Sequence, residues 1–277
     1  MAGNQLGKTL AGAMEAAMHA TGRYPDWWRG RRFKSRTRGW AAGVSGESAR
    51  DSVQKMLLGE PGELGTGAIP AEDIINVTMA RSVAEQIDTV TIRHVSGGVS
   101  RIAFKSYRKG REKWQAATLD WVWFDEEPPM DVYMEGLTRT NATNGLVWLT
   151  FTPLKGMSDV VGRFVLQPAA GRHVTQMTID EVGHLSAAQR ARIVAQYPAH
   201  EVEARTKGTP VLGSGRVFPV TEESIRKDLP AVPNTWRGSW VWISATTIPP
   251  RLYGWRGIGT RTSCTSPIAI VCVKRRR

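Results

Sequence analysis

The chain has 277 residues and a formal net charge of +12, with 41% hydrophobic and 22% charged residues. This composition indicates a soluble globular protein, and no run of about 18 apolar residues predicts a membrane span. The first residues lack the pattern of a secretory signal peptide. Cys264 and Cys272 have no His or Cys at metal-ligand spacing, so the sequence indicates neither a zinc site nor a disulfide framework, and a reducing cytoplasm fits. The positive charge favours a polyanionic partner such as nucleic acid over an acidic membrane surface.

The chain opens on a phosphate-binding loop signature. Residues 2–9 read Ala-Gly-Asn-Gln-Leu-Gly-Lys-Thr and match G-x-x-x-x-G-K-S/T, except that Ala2 stands at the first glycine. In such loops backbone N–H groups surround the phosphates, the lysine reaches the β and γ oxygens, and the final hydroxyl binds Mg²⁺. The alternative is an ordinary glycine-rich helix entry. The predicted ATP-binding residues are Gly3, Asn4, Gln5, Leu6, Gly7, Lys8 and Thr9, with Thr9 also a metal ligand.

A second motif places acids at the end of an apolar strand. Trp121–Phe124 run directly into Asp125, Glu126 and Glu127, and open α/β sheets bind ligands at the carboxyl ends of their strands. Asp125 is the predicted Mg²⁺ ligand, Glu126 the catalytic group that polarises the attacking water, and Glu127 the fallback base. Each motif supplies what the other lacks, so together they predict hydrolysis of a nucleoside triphosphate.

The remaining pattern predicts an α/β fold with a mostly parallel central sheet flanked by helices. Apolar residues after Lys8 predict a helix to Gly22, and the strand that normally precedes such a loop is missing. Further predicted elements are a strand at 39–44 before a helix capped by Ser45 or Ser48, a β-hairpin at 89–94 and 99–105 with Val90, Ile92, Ile102 and Phe104 on one face, a helix after Pro129, strands at 146–151 and 174–179, and a helix at 186–197 with Ala187, Ile193 and Val194 facing inwards.

Other residues are candidates with open alternatives. Thr150 and Thr152 end the strand after the acids and are candidates for sensing the γ-phosphate. The alternative is that they are present only because threonine favours strands. Arg111 and Arg139 flank the acidic strand and are candidates for stabilising transition-state charge, or are ordinary surface residues. Residues 27–38 interleave six cations with three aromatic residues, a pattern that predicts DNA binding or, alternatively, an exposed hairpin with solvated cations. The candidate DNA-binding residues are Arg29, Arg31, Arg32, Lys34, Arg36 and Arg38.

The C-terminal part changes in character. Residues 208–215 indicate a linker, and nothing after Asp228 is acidic, although eight lysines or arginines and four tryptophans follow. Ordinary surfaces mix both signs of charge. We expect residues 236–277 to be an irregular basic tail translated out of frame; a genuine basic tail that binds nucleic acid is the alternative.

Five motifs together resemble the large terminase subunit of tailed bacteriophages. They are Gly-Asn-Gln-x-Gly-Lys-Thr at 3–9, Thr-Gly-Arg-Tyr-Pro-Asp-Trp-Trp at 21–28, Val-Trp-Phe-Asp-Glu-Glu at 122–127, Leu-Thr-Phe-Thr-Pro at 149–153 and Gly-Ser-Gly-Arg-Val-Phe-Pro at 213–219. The resemblance covers about residues 2–235, and it implies a P-loop ATPase domain of the additional-strand type followed by a ribonuclease H-like nuclease. Lys8 and Thr9 then correspond to Walker A, Asp125 and Glu126 to Walker B, and Thr150–Thr152 to the motif that couples hydrolysis to DNA movement.

The resemblance implies a motor that packages double-stranded DNA into a procapsid in the host cytoplasm, with ATP and Mg²⁺. Its partners would be the terminase small subunit, the portal protein and further copies in a ring, and no membrane. The implied domains are an ATPase at 1–207, a linker and the start of a nuclease at 208–235, and the tail. The chain departs from the family in lacking the first strand, an adenine-contacting segment and the nuclease carboxylates, so we expect no cleavage. The alternative hypotheses are a helicase-like ATPase and a non-enzymatic remnant that only binds DNA.

Overall fold

The computed structural model describes residues 1–81 and 83–210, together with three short strands nearer the C-terminus. The chain divides into two compact units, Met1–Pro219 and Val220–Arg277. No helix in the described ranges is long and apolar enough to cross a membrane. Everything that positions the candidate site lies in the first unit.

The first unit alternates strands and helices along the chain. Its elements are α1 (Lys8–Thr21), β1 (Arg38–Gly43), α2 (Gly46–Ser48), a π-helical stretch (Ala49–Gln54), α3 (Lys55–Leu58), β2 (Ile74–Met79), β3 (Ile87–Arg93), β4 (Val99–Ser106), β5 (Trp121–Asp125), α4 (Met130–Thr140), β6 (Leu146–Thr150), α5 (Asp159–Val165), α6 (Ala187–Ala195) and α7 (Val202–Lys207).

The strands form one six-stranded sheet in the order β2-β3-β4-β1-β5-β6. The four strands β4, β1, β5 and β6 are parallel, whereas β2 and β3 are antiparallel additions at one side. The central strands β1 and β5 are almost entirely buried, as expected for parallel strands covered on both faces. The parallel strands end at a common edge, and that edge carries Asp125 at the end of β5.

Helices cover both faces of the sheet. On one face α1 presents a row of small residues, among them Ala13, Ala16 and Ala20, which pack against Trp121 and Trp123. On the other face Trp114, Phe124 and Tyr133 pack together, Tyr133 lying on α4. The small residues allow α1 to approach β5 closely, which fixes the loop before α1 relative to the acids after β5.

Most of the predicted elements are present. The hairpin of β3 and β4 buries Val90, Ile92, Ile102 and Phe104 as expected, and Ser45 caps α2. The strand predicted at 174–179 was wrong: Met177 makes only an isolated bridge to Ala2, because the segment contacts the first residues of the chain rather than β6. The helix predicted at 186–197 is α6, but Ala187 is exposed and only Ile193 and Val194 pack inwards.

The chain start lies beside the end of β6. The Ala2 N–H donates to the Phe151 carbonyl at 3.4 Å, and the Gly3 N–H donates to the Met177 carbonyl at 3.4 Å. In the described residues no strand precedes α1. Residues 1–3 therefore bridge the carboxyl end of β6 and the segment around Met177.

The second unit contains three strands, β7 (Ser239–Trp242), β8 (Tyr253–Trp255) and β9 (Ile270–Val273). They form an antiparallel sheet in the order β8-β7-β9. These short strands contain aromatic and β-branched residues, which favour extended structure. The linker predicted at 208–215 lies outside the described residues after 210.

A pair of glycine substitutions tests the contact between α1 and β5. A Cβ at Gly12 would lie 2.5 Å from the ring of Trp123, whereas a Cβ at Gly162 in α5 would meet nothing closer than 3.9 Å. Alanine favours a helix by about 1 kcal/mol over glycine, but overpacking costs about 1–3 kcal/mol. In urea unfolding we expect Gly12→Ala to lower the free energy of unfolding and Gly162→Ala to leave it unchanged or raise it. A stabilised Gly12→Ala variant would contradict the packing.

Candidate nucleotide site

The loop before α1 has the geometry of an anion site. Gln5 and Gly7 have positive φ angles of 57° and 82°, so the chain curves sharply before Lys8 begins the helix. Gly7 provides no side-chain cap for α1. The N–H groups of the first helical turn are therefore left to bind an anion, which the helix dipole also favours.

The loop is held from behind by α7. The Asn4 N–H donates to the Arg205 carbonyl at 2.8 Å, and a Cβ at Gly3 would lie 2.3 Å from that same carbonyl oxygen. Only glycine fits at position 3 for this reason. The Lys8 ammonium group donates to the Gly3 carbonyl at 2.5 Å, so the lysine folds back over its own loop.

Asp125 is the polar centre of the site. Its carboxylate accepts hydrogen bonds from three hydroxyl groups, those of Thr9 at 3.0 Å, Ser52 at 2.9 Å and Thr150 at 2.8 Å. Asp125 is only 4% exposed. Burial raises the pKa of Asp125, while the three hydroxyl bonds and Lys8 lower it. The structure thus brings the loop motif and the acidic motif into direct contact.

Lys8 and Glu126 face the same space beside Asp125. Burial lowers the pKa of Lys8, and the charges of Glu126 and Asp125 raise it. The pKa of Glu126 is raised by partial burial and then by the charge of Asp125, and lowered by Lys8 and Lys155. Much of the Glu126 side chain remains exposed, so solvent screens these effects more than at Asp125.

The backbone at Glu126 is constrained. Glu126 has a φ of 66°, in a region that L-residues occupy at a cost and that is frequent at functional sites. Its N–H donates to the Thr150 carbonyl at 2.9 Å. The Tyr107 hydroxyl lies 2.8 Å from the Asp125 carbonyl and 3.0 Å from the Glu126 carbonyl. These contacts hold the turn that points Glu126 at the loop.

Two adjoining cavities meet at this turn. The larger, of about 700 Å³, is lined by the loop residues Asn4 to Leu10, by Glu126 and Thr152, and by residues of and after α6. The smaller, of about 360 Å³, is lined by residues that include Tyr107, Arg108, Glu127 and Lys155. Both share Glu126, Thr152 and Leu154. The larger cavity has room for a nucleotide at the loop.

The donor set fits a magnesium ion. Mg²⁺ prefers hard oxygen ligands and binds to proteins through one or two of them, with phosphates and waters completing the shell. Thr9 and Asp125 place one hydroxyl and one carboxylate oxygen 3.0 Å apart at the start of α1. In the described residues no cluster of three or more acidic, histidine or cysteine side chains offers a different kind of metal site.

Thr150 ends β6 and Thr152 follows it by two residues, and the two threonines make different contacts. Thr150 bonds to Asp125, and its hydroxyl also accepts from the Trp123 indole N–H at 2.7 Å. The Thr152 hydroxyl donates to the Ala2 carbonyl at 3.0 Å. One threonine thus contacts the acidic motif and the other contacts the start of the phosphate loop.

The structure does not bring the two candidate arginines to the site. Arg111 and Arg139 both pair with Glu135 on α4, at 2.7 Å and 3.5 Å. The Arg139 carbonyl accepts from the Leu119 N–H at 2.9 Å, and this contact lies before β5 begins, whereas Asp125 ends β5. Arg108 is the arginine on the wall of a cavity that contains Glu126.

Sequence reasoning missed four residues around the acids: Ser52, Tyr107, Arg108 and Lys155. Ser52 lies in the π-helical stretch, a feature that is often functional but has no sequence signature of its own. Tyr107 and Arg108 follow β4 directly. Since β4, β1 and β5 are parallel, the residues that follow β4 must lie at the same edge of the sheet as Asp125. A correct strand order would therefore have identified Tyr107 and Arg108.

The basic segment lies near the residues where the parallel strands β5 and β6 begin. All six predicted DNA-binding residues, Arg29, Arg31, Arg32, Lys34, Arg36 and Arg38, are exposed. The segment follows the C-terminus of α1, and the Arg38 N–H donates to Asp120 at 2.7 Å, at the beginning of β5. Arg31 bonds to the carbonyls of Thr143 and Asn144 before β6. The basic surface is therefore at the opposite end of the parallel strands from Asp125.

The burial of Asp125 gives a pH-dependent prediction. Its pKa in the folded chain is raised, so its ionised form costs stability, and the cost disappears as pH falls through that pKa. We expect nucleotide-free Asp125→Asn to melt at a higher temperature than the parent at neutral pH, with the difference shrinking on acidification. Mg²⁺ and ADP should raise the melting temperature of the parent more than that of Asp125→Asn. A difference that stays constant with pH, in calorimetric melts, would contradict this.

Comparison with known proteins gives a consistent assignment. The family model described as "Terminase large subunit, T4likevirus-type, N-terminal" matches residues 1–225. The terminase large subunit of Salmonella phage P22 is 43% identical over 246 residues, covering 82% of this chain and 49% of the relative. The terminase large subunit of Enterobacteria phage LP7 is 48% identical over 98 residues, covering 35% of this chain and 21% of the relative. The chain thus spans about half the length of the P22 protein, and its match with the LP7 protein covers about a fifth of that protein.

Solved structures share the fold. A large terminase from a thermophilic bacteriophage has a TM-score of 0.55 at 16% identity, over 87% of this chain and 55% of that one. The same terminase in complex with ADP has a TM-score of 0.53 at 14% identity, over 92% and 59%. At this identity the likeness concerns the arrangement of the six-stranded sheet and its helices.

Proposed function

The chain belongs to the family of phage terminase large subunits, and we propose that it is the ATP-hydrolysing motor part that translocates double-stranded DNA into a procapsid. One observation carries this proposal: Thr9 at the start of α1 bonds to Asp125 at the end of β5, at 3.0 Å. This contact joins a phosphate loop to a carboxylate, and the two together are what phosphoryl transfer from ATP requires. The proposal concerns the ATPase motor alone.

The loop binds the triphosphate. Backbone N–H groups of residues 3–9 and the N-terminus of α1 surround the phosphates. Lys8 leaves the Gly3 carbonyl, to which it donates in the free chain, and its ammonium group contacts the β and γ oxygens. The lowered pKa of Lys8 reflects a buried cation that an anionic ligand would compensate.

The acids act on the metal and the water. Thr9 and Asp125 would hold Mg²⁺, which would supply positive charge against the phosphates. Glu126 orients the attacking water and polarises it. Its positive φ and the bonds from Tyr107 to the adjacent carbonyls fix its direction. Glu127 is buried to 8% exposure, and we propose it as a supporting group rather than the base.

Other residues connect hydrolysis to movement. Thr150 is hydrogen-bonded to Asp125, and Thr152 is hydrogen-bonded to the start of the loop. Loss of the γ-phosphate would therefore change the hydrogen bonds at the end of β6. Arg111 and Arg139 would have to leave Glu135 to stabilise transition-state charge, in this subunit or in a neighbour of a ring. The terminase small subunit and the portal protein are the further partners of the proposal, in the host cytoplasm where the procapsid forms.

DNA binding by the basic segment is tested by salt dependence. Lys34 lies in the exposed segment, whereas Lys207 on α7 carries the same charge but pairs with Glu203 at 3.7 Å. In a double-stranded DNA titration over increasing salt, we expect Lys34→Ala to reduce the slope of log K against log salt by about 1, and Arg29→Ala likewise. Lys207→Ala should leave the slope unchanged. DNA should also raise ATP turnover of the parent; equal slopes for all variants would argue against this surface.

A further inference from the structure

Helix α1 reaches from the nucleotide site to the basic segment. Its first turn carries Thr9, which bonds to Asp125 at the end of β5. Its C-terminus leads into the basic segment, which lies near the beginning of β5 and β6. A helix of 14 residues is about 21 Å long. One continuous element therefore spans the distance between the two sites.

His19, near the C-terminal end of α1, closes the loop that carries the basic segment. Its Nδ1 atom lies 3.0 Å from the Tyr24 hydroxyl, and its carbonyl accepts from the Thr37 hydroxyl at 3.0 Å. His19 and Thr37 are only 0% and 1% exposed, so these contacts are shielded from water. Residues 25–36, between the two contacts, contain five of the six candidate DNA-binding cations. Both ends of this loop thus bond to one residue of α1.

The aromatic residues of the loop pack on the same imidazole ring. The ring centroids of Trp28 and Phe33 lie 6.0 Å and 5.1 Å from that of His19, in edge-to-face arrangements. The Phe33 N–H donates to the Tyr24 hydroxyl at 2.8 Å, and the Trp28 indole N–H donates to the Arg31 carbonyl at 3.1 Å. The exposed cations therefore project from a loop whose conformation depends on His19.

We propose that α1 couples the two sites: nucleotide binding at its first turn fixes the position of His19, and His19 fixes the loop that binds DNA. This inference rests on the proposed function, because it assumes a nucleotide at the phosphate loop and DNA at the basic segment. In the free chain the Lys8 ammonium group and the Thr9 hydroxyl bond to the protein itself, and a bound nucleotide would engage both groups.

The coupling has a definite sign. A ligand that immobilises α1 lowers the entropic cost of ordering the loop for the other ligand, so the two ligands bind with positive cooperativity. His19 is fully buried and acts as a positioning residue that contacts neither ligand.

The coupling is measured as the change in DNA affinity that a nucleotide causes. Double-stranded DNA is titrated by fluorescence anisotropy, with and without saturating Mg²⁺ and a non-hydrolysable ATP analogue. We expect the analogue to tighten DNA binding by the parent about fivefold or more, and DNA to tighten analogue binding by the same factor. In Tyr24→Phe, which loses the hydroxyl between His19 and Phe33, this factor should fall to about 1. The salt slope for DNA should stay parental, because no cation is lost.

Three further variants separate coupling from damage to the fold. Thr37→Val removes the donor to the His19 carbonyl, together with the acceptor of the Trp121 indole N–H, and should lose the cooperativity. Thr37→Ser keeps the hydroxyl and should retain it. Tyr133→Phe is the matched control for Tyr24→Phe: it removes the hydroxyl of a tyrosine that is 3% exposed on the other face of the sheet, and should behave as the parent does.

The outcomes distinguish this inference from the function on which it rests. Cooperativity retained in either Tyr24→Phe or Thr37→Val, or lost in Tyr133→Phe as well, would overturn the route through His19. A parent that binds both ligands without any effect of one on the other would also overturn it, and the ATPase function would stand. If the parent does not bind the analogue, or Lys8→Ala binds it as tightly as the parent does, the proposed function itself fails.

Discussion

Glu126→Gln is expected to lower ATP turnover by about 10²- to 10⁴-fold while ATP stays bound, because the amide cannot accept a proton from the attacking water. The substitution keeps the size of the side chain and the turn that Tyr107 holds. The phosphates remain held by the loop and by Lys8. Turnover is measured by phosphate release, and bound ATP by its retention on the protein through rapid gel filtration.

Glu127→Gln is the matched control for this prediction. Glu127 is the next residue along the chain and lines the smaller cavity beside Glu126. Its substitution should reduce turnover far less than that of Glu126. If Glu127→Gln were the variant that retained unhydrolysed ATP, the base would be Glu127 and the assignment of Glu126 would be wrong.

Lys8→Ala is expected to weaken nucleotide binding by about 10- to 100-fold, because the lysine makes charge-assisted hydrogen bonds to phosphate oxygens. Turnover should fall by about a further 10²- to 10³-fold, since the ammonium group also stabilises charge that develops during transfer. Titration with a fluorescent ADP analogue and single-turnover hydrolysis measure the two effects.

Lys55→Ala provides the comparison for Lys8. Lys55 begins α3 and pairs with Glu60 at the surface, so its substitution removes the same charge without touching the loop. We expect its nucleotide affinity and turnover to match those of the parent. A Lys8→Ala variant that retained parental affinity would show that the loop does not bind the phosphates.

The sequence predicted the parts of the site that carry local signatures. The loop at residues 3–9 and the acids after β5 follow from the residues that phosphate and Mg²⁺ require, and β1, β5 and β6 follow from their apolar runs. The contact between Thr9 and Asp125 then depends only on α1 packing against β5. The alanines of α1 and the tryptophans of β5 make that packing close.

The sequence did not reveal contacts that depend on strand order and distant packing. Ser52 and Tyr107 reach Asp125 and the adjacent carbonyls because β1 lies between β4 and β5, and no local pattern specifies that order. The segment around Met177 was predicted as a strand, yet it makes only one isolated bridge, to Ala2. Arg139 was suggested by its position after the acids. However, it lies near the C-terminal end of α4, where its carbonyl accepts from the Leu119 N–H just before the beginning of β5.

The central claim is that Thr9 and Asp125 share one metal ion with a bound nucleotide. Electron paramagnetic resonance of Mn²⁺, used in place of Mg²⁺, measures this directly as ions bound per chain with and without ADP. We predict one nucleotide-dependent Mn²⁺ in the parent and in Thr78→Val, whose threonine is exposed on β2, and its loss in Thr9→Val and in Asp125→Asn. Nucleotide-dependent Mn²⁺ held equally by all four proteins would contradict the account.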